Sequence, residues 1–314
     1  MNVRRFLKGK TVGVLYGGTS AEREVSLRSG ASVIRALKKE GIRVLPVDVG
    51  GDFLNVIRRA KMDIAYIALH GTFGEDGTLQ AALETAGIPY TGSGVLASAL
   101  AMDKLYAKEI FAFNGLKTPE WTGLTGWRTS AGKSVRLPGK FPLVVKPSAQ
   151  GSTIGVSIVN NKKELERGIV GAMKYGGSVV VERYVPGKEL TVGILGTGAR
   201  AEALPVIEIL PVFGEYYDYK AKYAPGGSRH LIPAGIPRSI YKRVQETAKK
   251  AFCVLGCRAV GRVDFRLTPK GEPYVIEVNT IPGMTETSLL PEAAHHAGYG
   301  FNELVLKIIE YSLE

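Results

Sequence analysis

Three apolar runs near the start of the chain leave few folds open. Residues 11–16, 43–47 and 64–69 have the β-branched and aliphatic density of buried strands. Each is followed by a stretch with helical period. Residues 22–40 place Val25, Ser29, Val33 and Leu37 on one stripe, and residues 53–60 and 79–86 repeat the pattern. Strands that alternate with helices need crossover connections, so the spacing predicts a parallel sheet. Thr19-Ser20-Ala21-Glu22 reads as a capping box opening the first of these helices.

The pattern then changes. A helix is predicted over 104–114. Two strands, 143–146 and 156–159, flank a loop through Gly151-Ser152-Thr153-Ile154-Gly155 with no helix between them, so they read as an antiparallel hairpin. A helix at 163–173 and a strand at 179–182 follow. Strands at 190–195 and 203–209 lead into a polar segment, 214–233, whose length points to function. A helix at 239–255, strands at 261–267 and 273–278, and two short helices complete the pattern.

A length of 314 residues suits two or three packed α/β units. With 45% hydrophobic and 22% charged residues, neither disorder nor a coiled coil fits. The sequence has no apolar run of the roughly 18–20 residues a membrane span needs. The basic start lacks the apolar stretch of a signal peptide. Cys253 and Cys257, four apart and without a neighbouring His, suit neither a disulfide nor zinc, and are expected as buried thiols in a reduced cytoplasm. Lys and Arg number 41 against 29 Asp and Glu, a net charge of +12. The basic residues come in scattered pairs with no block of five. That favours a solvated surface able to attract a polyanionic small molecule over a nucleic-acid site.

The densest chemistry lies in Arg262-Val263-Asp264-Phe265 and Glu277-Val278-Asn279, joined by the turn Lys270-Gly271-Glu272. Alternate strand residues share a face, so Arg262 with Asp264, and Glu277 with Asn279, would line one side of a hairpin. Oxygen-only donors of this kind suit Mg²⁺ beside nucleotide phosphates. A cross-strand pair between Arg262 and Glu277 would account for only two of the four. Lys146, ending a strand just before the glycine loop, suggests a phosphate cradle, although the P-loop pattern is absent. Lys104 is a weaker companion. Gly92-Ser93-Gly94 imitates a dinucleotide fingerprint in the wrong context and reads as a tight turn into a helix. His70 follows a buried strand, where a substrate contact and a structural hydrogen bond are equally open. Glu182 and Glu189 flank a turn and could be ordinary edge charges. No nucleophile motif appears.

Taken together, these segments resemble the D-alanine–D-alanine ligases of the ATP-grasp superfamily. The resemblance rests on Gly17-Gly18-Thr19-Ser20-Ala21-Glu22, Leu69-His70-Gly71 with Gly74-Glu75-Asp76-Gly77-Thr78, and Met102-Asp103-Lys104. It continues through Val145-Lys146-Pro147, Asp218-Tyr219-Lys220-Ala221-Lys222-Tyr223, Gly261-Arg262-Val263-Asp264 and Glu277-Val278-Asn279 through Thr285. It implies an α/β ATP-grasp fold. A Rossmann-like parallel-sheet unit would span 1–101, a central lid 102–186 and a carboxyl-terminal unit 187–314.

The resemblance also implies roles. Asp264, Glu277 and Asn279 would hold two Mg²⁺ or Mn²⁺ ions. Lys104, Lys146 and Lys222 would contact ATP phosphates. Glu182, Val185 and Glu189 would hold the adenine and ribose. Glu22 would take the ammonium of one D-alanine with His70 close by, while Ser288 and Leu289 would take the carboxylate of the other. Arg262 and the Gly283 N–H would meet the oxyanion, and Ser152 and Tyr223 would join Glu22 in a closing network. A cytoplasmic homodimer in peptidoglycan synthesis, without nucleic-acid or membrane partners, is implied as well. Gln150 departs from relatives that carry Glu before the loop glycine. The nearest rivals are a D-alanine–D-lactate ligase, against which Tyr223 argues because ester-forming relatives commonly carry Phe there, and another ATP-grasp carboxylate–amine ligase.

Overall fold

A computed structural model of the chain describes residues 2–125, 137–151, 153–212 and 227–314. The basic start forms a short helix ahead of the first strand, α1 (Val3–Leu7), capped by the Asn2 side chain. The strands β1 (Thr11–Gly17), β2 (Arg43–Val49) and β3 (Ile64–Ile67) alternate with α2 (Arg23–Lys39), α3 (Phe53–Arg59) and α4 (Thr78–Thr85). They form a sheet of order β2-β1-β3 with both pairings parallel, as expected. Period-two alternation gives each face its own core. Val12 and Val14 pack with Val33 and Leu37 of α2, while Leu15, Ala65 and Ile67 pack with Leu79 and Leu83 of α4.

The capping box predicted at α2 does not form. Glu22 stands at the N-cap with no side-chain cap bond. The Ser20 hydroxyl instead accepts the Glu22 N–H at 3.2 Å and donates to the His70 carbonyl at 2.7 Å, tying the turn after β1 to the turn after β3.

Gly92, at φ +90°, makes the expected tight turn into α5 (Val95–Met102). Asp103 then caps α6 (Lys104–Phe113) through the Leu105 N–H. A second sheet of order β4-β7-β5-β6 is antiparallel throughout and built from β4 (Trp121–Thr125), β5 (Leu143–Pro147), β6 (Ser157–Val159) and β7 (Ser178–Arg183), with α7 (Lys162–Met173) against it. The β5–β6 hairpin, with Leu143 opposite Val159, matches the sequence reading.

The third sheet runs β11-β10-β8-β12-β13, with β9 beside β8. Its strands are β8 (Lys188–Leu195), β9 (Glu202–Ala203), β10 (Ile207–Pro211), β11 (Ser228–Leu231), β12 (Val260–Leu267) and β13 (Pro273–Asn279). The strand expected over 203–209 is broken in two. Between the halves, Leu204 N–H bonds the Gly193 carbonyl and Val206 N–H bonds the Tyr241 hydroxyl. Ser228–Leu231, expected within a loop, is a strand paired with β10. The helix α8 (Arg238–Val254) covers one face, packing Val244, Ala248 and Phe252 against Val192, Val263 and Phe265. The opposite face of β12 is thereby left to Arg262, Asp264 and Arg266. Cys253 is exposed, contrary to expectation, whereas Cys257 lies buried beyond the end of α8; both are free thiols.

After β13 come α9 (Leu289–His296) and α10 (Phe301–Ser312). Leu304, Val305 and Ile308 of α10 join Val12, Val14 and Leu37 in one cluster, so the last helix completes the core of the first sheet. No described helix is long and apolar enough to cross a membrane.

Candidate active site

The ladder between β12 and β13 sets Arg262 opposite Asn279 and Asp264 opposite Glu277. Directly opposed residues share a face of the sheet, so the four polar side chains stand together as predicted. Two facing carboxylates need a cation between or beside them. Arg262 supplies one, donating to Asp264 from Nε at 2.9 Å and Nη2 at 2.8 Å. Lys104 supplies another, its Nζ lying 3.2 Å from Glu277 Oε2. The Arg262 ion pair therefore runs along its own strand to Asp264. Thr191, opposite Asp264 on β8, donates to its Oδ1 at 2.6 Å. Asn279 Oδ1 accepts from the Ile281 N–H at 2.9 Å and keeps a second lone pair. Among the described residues no three His, Cys, Asp or Glu group as a metal site. The donor set here is two carboxylates and an amide, all oxygen, which fits a hard divalent cation.

Beside this face a cleft of about 1050 Å³, open to solvent, separates the second sheet from the third. Lys104, Lys146, Glu182, Val185, Glu189, Asp264 and Glu277 line it, with apolar walls from Val144, Ile154, Ile209 and Ile276. Apolar walls with a few fixed polar groups are what a planar base and its phosphates require. Lys146 Nζ lies 2.7 Å from Glu182 Oε1, both buried. Lys108 Nζ reaches Glu182 Oε2, also at 2.7 Å. Burial alone would raise the Glu182 carboxyl; the two ammoniums outweigh it and hold the group below its usual range. Arg266 spans the other wall. Its Nε donates to the Val185 carbonyl at 3.1 Å and its Nη1 to Glu189 at 3.3 Å.

A third group gathers under the first sheet. Glu22 is buried, and its Oε2 sits so close to two glycines that a Cβ on Gly71 or Gly151 would fall 2.7 or 2.9 Å from it. The glycine loop thus meets the amino-terminal unit at this carboxylate. His70 is buried with both nitrogens bonded. Nδ1 faces the Ile281 carbonyl at 3.1 Å and so carries the proton; Nε2 then accepts from Ser29 Oγ at 3.0 Å. Ser29 Oγ in turn accepts the Met284 N–H at 3.1 Å. His70 therefore pins the segment after β13 to α2. Glu75 lies 3.6 Å from His70 Nδ1, and burial raises its carboxyl despite His70. Gly283 faces Ser288, whose hydroxyl would be 2.8 Å from a Cβ there. Ser288 precedes α9 and ties back to Thr285. Leu289 is the first residue of α9, its side chain in the core.

Comparison with known proteins decides what this arrangement belongs to. The family described as D-ala D-ala ligase C-terminus matches residues 110–310, and D-ala D-ala ligase N-terminus matches 11–56 and 52–93. The chain belongs to the D-alanine–D-alanine ligase family. Among its relatives, the D-alanine–D-alanine ligase of Citrifermentans bemidjiense is 47% identical over 304 residues, covering 97% of this chain and 96% of that one. A crystal structure of the Bacillus anthracis D-alanine–D-alanine ligase complexed with ATP superposes with a TM-score of 0.83 at 35% identity, covering 97% of each chain. The VanG D-Ala:D-Ser ligase of Enterococcus faecalis follows at TM-score 0.81 and 30% identity, covering 96% of this chain and 99% of that one. These likenesses confirm the ATP-grasp α/β fold.

Of the residues that the family resemblance singled out, Ser152, Lys222 and Tyr223 lie outside the described residues. The others fall into the three groups above. Gln150, the departure from the family pattern, donates from Nε2 to the Tyr175 carbonyl at 3.1 Å, which a carboxylate could not do. Its own carbonyl accepts from Lys104 at 2.7 Å. Two residues escaped the sequence reading. Arg266 continues the alternation of Arg262 and Asp264 and was open to detection on that ground. Lys108, a single lysine on a helix, carried no such signal.

Proposed function

We propose that the protein joins two D-alanines into D-alanyl-D-alanine for peptidoglycan precursor synthesis, converting ATP to ADP and phosphate. The observation that carries this reading is the register of β12 and β13. It sets two carboxylates, an amide and a guanidinium on one face beside a lysine-bearing cleft. The family's relatives, one of them solved with ATP, support the substrate and the nucleotide.

ATP would occupy the cleft with its phosphates toward Lys104, Lys146 and Lys222, and its base and ribose against Glu182, Val185 and Glu189. Asp264, Glu277 and Asn279 would hold two Mg²⁺ or Mn²⁺ ions, which when bound neutralise charge on the phosphate oxygens. Glu22 would fix the ammonium of the first D-alanine, leaving its carboxylate to attack the terminal phosphorus, break its bond to the bridging oxygen and form an acyl phosphate with ADP as the leaving group. Positioning and charge neutralisation dominate such a transfer. Ser288 and the Leu289 N–H, at the amino end of α9, would take the carboxylate of the second D-alanine. Its amine would then attack the acyl carbon, Arg262 with the Gly283 N–H would stabilise the resulting oxyanion, and collapse would break the C–O bond to expel phosphate as the nitrogen loses its proton. Ser152 and Tyr223 would close the site over Glu22 and exclude water. Units spanning 1–101, 102–186 and 187–314, a homodimer and a cytoplasmic location belong to the same reading.

A phosphate-release assay with ATP, Mg²⁺ and a panel of D-alanine, D-serine and D-lactate tests it. D-alanine alone should release phosphate and yield the dipeptide. Release only with a mixed pair would move the substrate assignment to another member of the fold. Gly71→Ala gives a second test. Gly71 sits at φ +76°, where a side chain is strained, and its Cβ would crowd Glu22. The variant is expected to raise the D-alanine KM about tenfold while leaving the ATP KM unchanged, because the displaced carboxylate holds the amino acid. Equal shifts in both constants would remove Glu22 from that role.

A further inference from the structure

Two ammoniums share one carboxylate behind the nucleotide cleft. Lys108 and Lys146 each lie 2.7 Å from an oxygen of Glu182, and all three are buried. The trio carries a surplus positive charge where desolvation makes that costly unless an anion arrives. The two lysines differ in where they face. Lys146 lines the cleft and can turn to an incoming phosphate. Lys108 has no exposed surface, and its other bonds go inward, to Thr118 Oγ1 at 2.8 Å and the Pro119 carbonyl at 3.2 Å. Once Lys146 engages phosphate, Glu182 keeps a single fixed counter-ion.

Building on the ATP reading above, we propose that Lys108 is a positioning residue for base selection: it fixes the Glu182 carboxylate as an anionic acceptor for the exocyclic amine of adenine. Guanine presents a carbonyl oxygen at the equivalent position, which the same carboxylate repels. Burial, helped by the neighbouring ammoniums of Lys146 and Lys104, pushes the Lys108 ammonium down to about 8 even though Glu182 opposes the shift. Without that charge only Lys146 opposes burial, so the Glu182 carboxyl shifts upward, and a carboxyl nearer protonation discriminates less well between donor and acceptor.

The test is Lys108→Met in the full-length enzyme, with ATP and GTP compared both in equilibrium binding and in D-alanine-dependent phosphate release. The ATP KM should rise about tenfold or more, with kcat at saturating ATP changed less than about threefold, and the preference for ATP over GTP should fall about tenfold. The ATP KM of the variant should also climb as pH falls, as Glu182 takes up a proton. Thr118→Val, which removes one bond fixing Lys108 Nζ outside the cleft lining, should shift the same quantities in the same direction by about two- to threefold. It decides the matter if Lys108→Met does not fold. Folded variants that keep the parental ATP KM and base preference, or that lose kcat equally for both nucleotides, would overturn the proposal. A parent enzyme that neither binds ATP nor releases phosphate with D-alanine would overturn the functional reading itself.

Discussion

Asp264→Ala and Glu277→Ala are each expected to lower kcat by roughly a thousandfold or more in a protein that remains folded. The expectation follows from where the two carboxylates stand. They oppose each other on adjacent strands at the edge of the cleft, with the opposite side of the sheet sealed by α8. If they hold the divalent cations that neutralise the transferring phosphate, losing either forfeits several kcal/mol of transition-state stabilisation. The competing account is structural, since Asp264 accepts from both Arg262 and Thr191 and Glu277 pairs with Lys104. The Arg262 and Asp264 side chains are only 13% and 17% exposed, so removing Asp264 should cost about 1–2 kcal/mol, a melting shift of a few degrees in a chain this long. A thermal melt beside a Mg²⁺ titration of activity separates the accounts. Metal ligation predicts a large kcat loss with a small melting shift. A salt-bridge role predicts the reverse.

How much of this was legible beforehand depended on whether the deciding partner lay nearby in sequence. The face of β12 and β13 was readable because strand period alone puts Arg262 with Asp264 and Glu277 with Asn279, and the short turn at Gly271 brings the strands together. The parallel sheet was readable for the same reason, from period and alternation. The α2 capping box misled because the helix starts later than the box requires, with Glu22 rather than Thr19 at the N-cap, where Ser20 accepts the Glu22 N–H and donates to the His70 carbonyl, 50 residues away. The 203–209 strand broke where Leu204 and Val206 turn to partners on β8 and α8 that no local pattern reveals. β4 pairs with β7 through a stretch too mixed in character to announce itself. Within the site, Lys108 was beyond reach. Its burial is created by Thr118, Pro119 and Glu182, the last 74 positions downstream, and an isolated lysine on a helix otherwise reads as solvated.

Arg262→Met is expected to lower kcat by about 10²- to 10³-fold, the loss typical when one oxyanion donor is removed. The guanidinium is tied to Asp264 through two bonds and partly buried, so it is held in place at the rim of the cleft rather than free to wander. A cation fixed in advance stabilises developing charge without reorganising during the reaction, which is why its loss should fall on kcat. The geometry also sets a second, opposing expectation. Removing Arg262 frees the Asp264 carboxylate from its guanidinium and leaves it only the Thr191 hydroxyl among the contacts described above. A carboxylate relieved of a competing cation should bind divalent metal at least as well as before. The half-saturating Mg²⁺ concentration should therefore stay the same or fall while kcat collapses. Had Arg262 served chiefly to shape the metal face, that concentration would rise together with the loss of turnover. Isotope exchange from ADP into ATP in the presence of D-alanine gives the finer division. The oxyanion forms when the amine attacks, so exchange through the acyl phosphate should survive in Arg262→Met far better than dipeptide synthesis does. Equal losses in the two would place the guanidinium at the phosphoryl group instead.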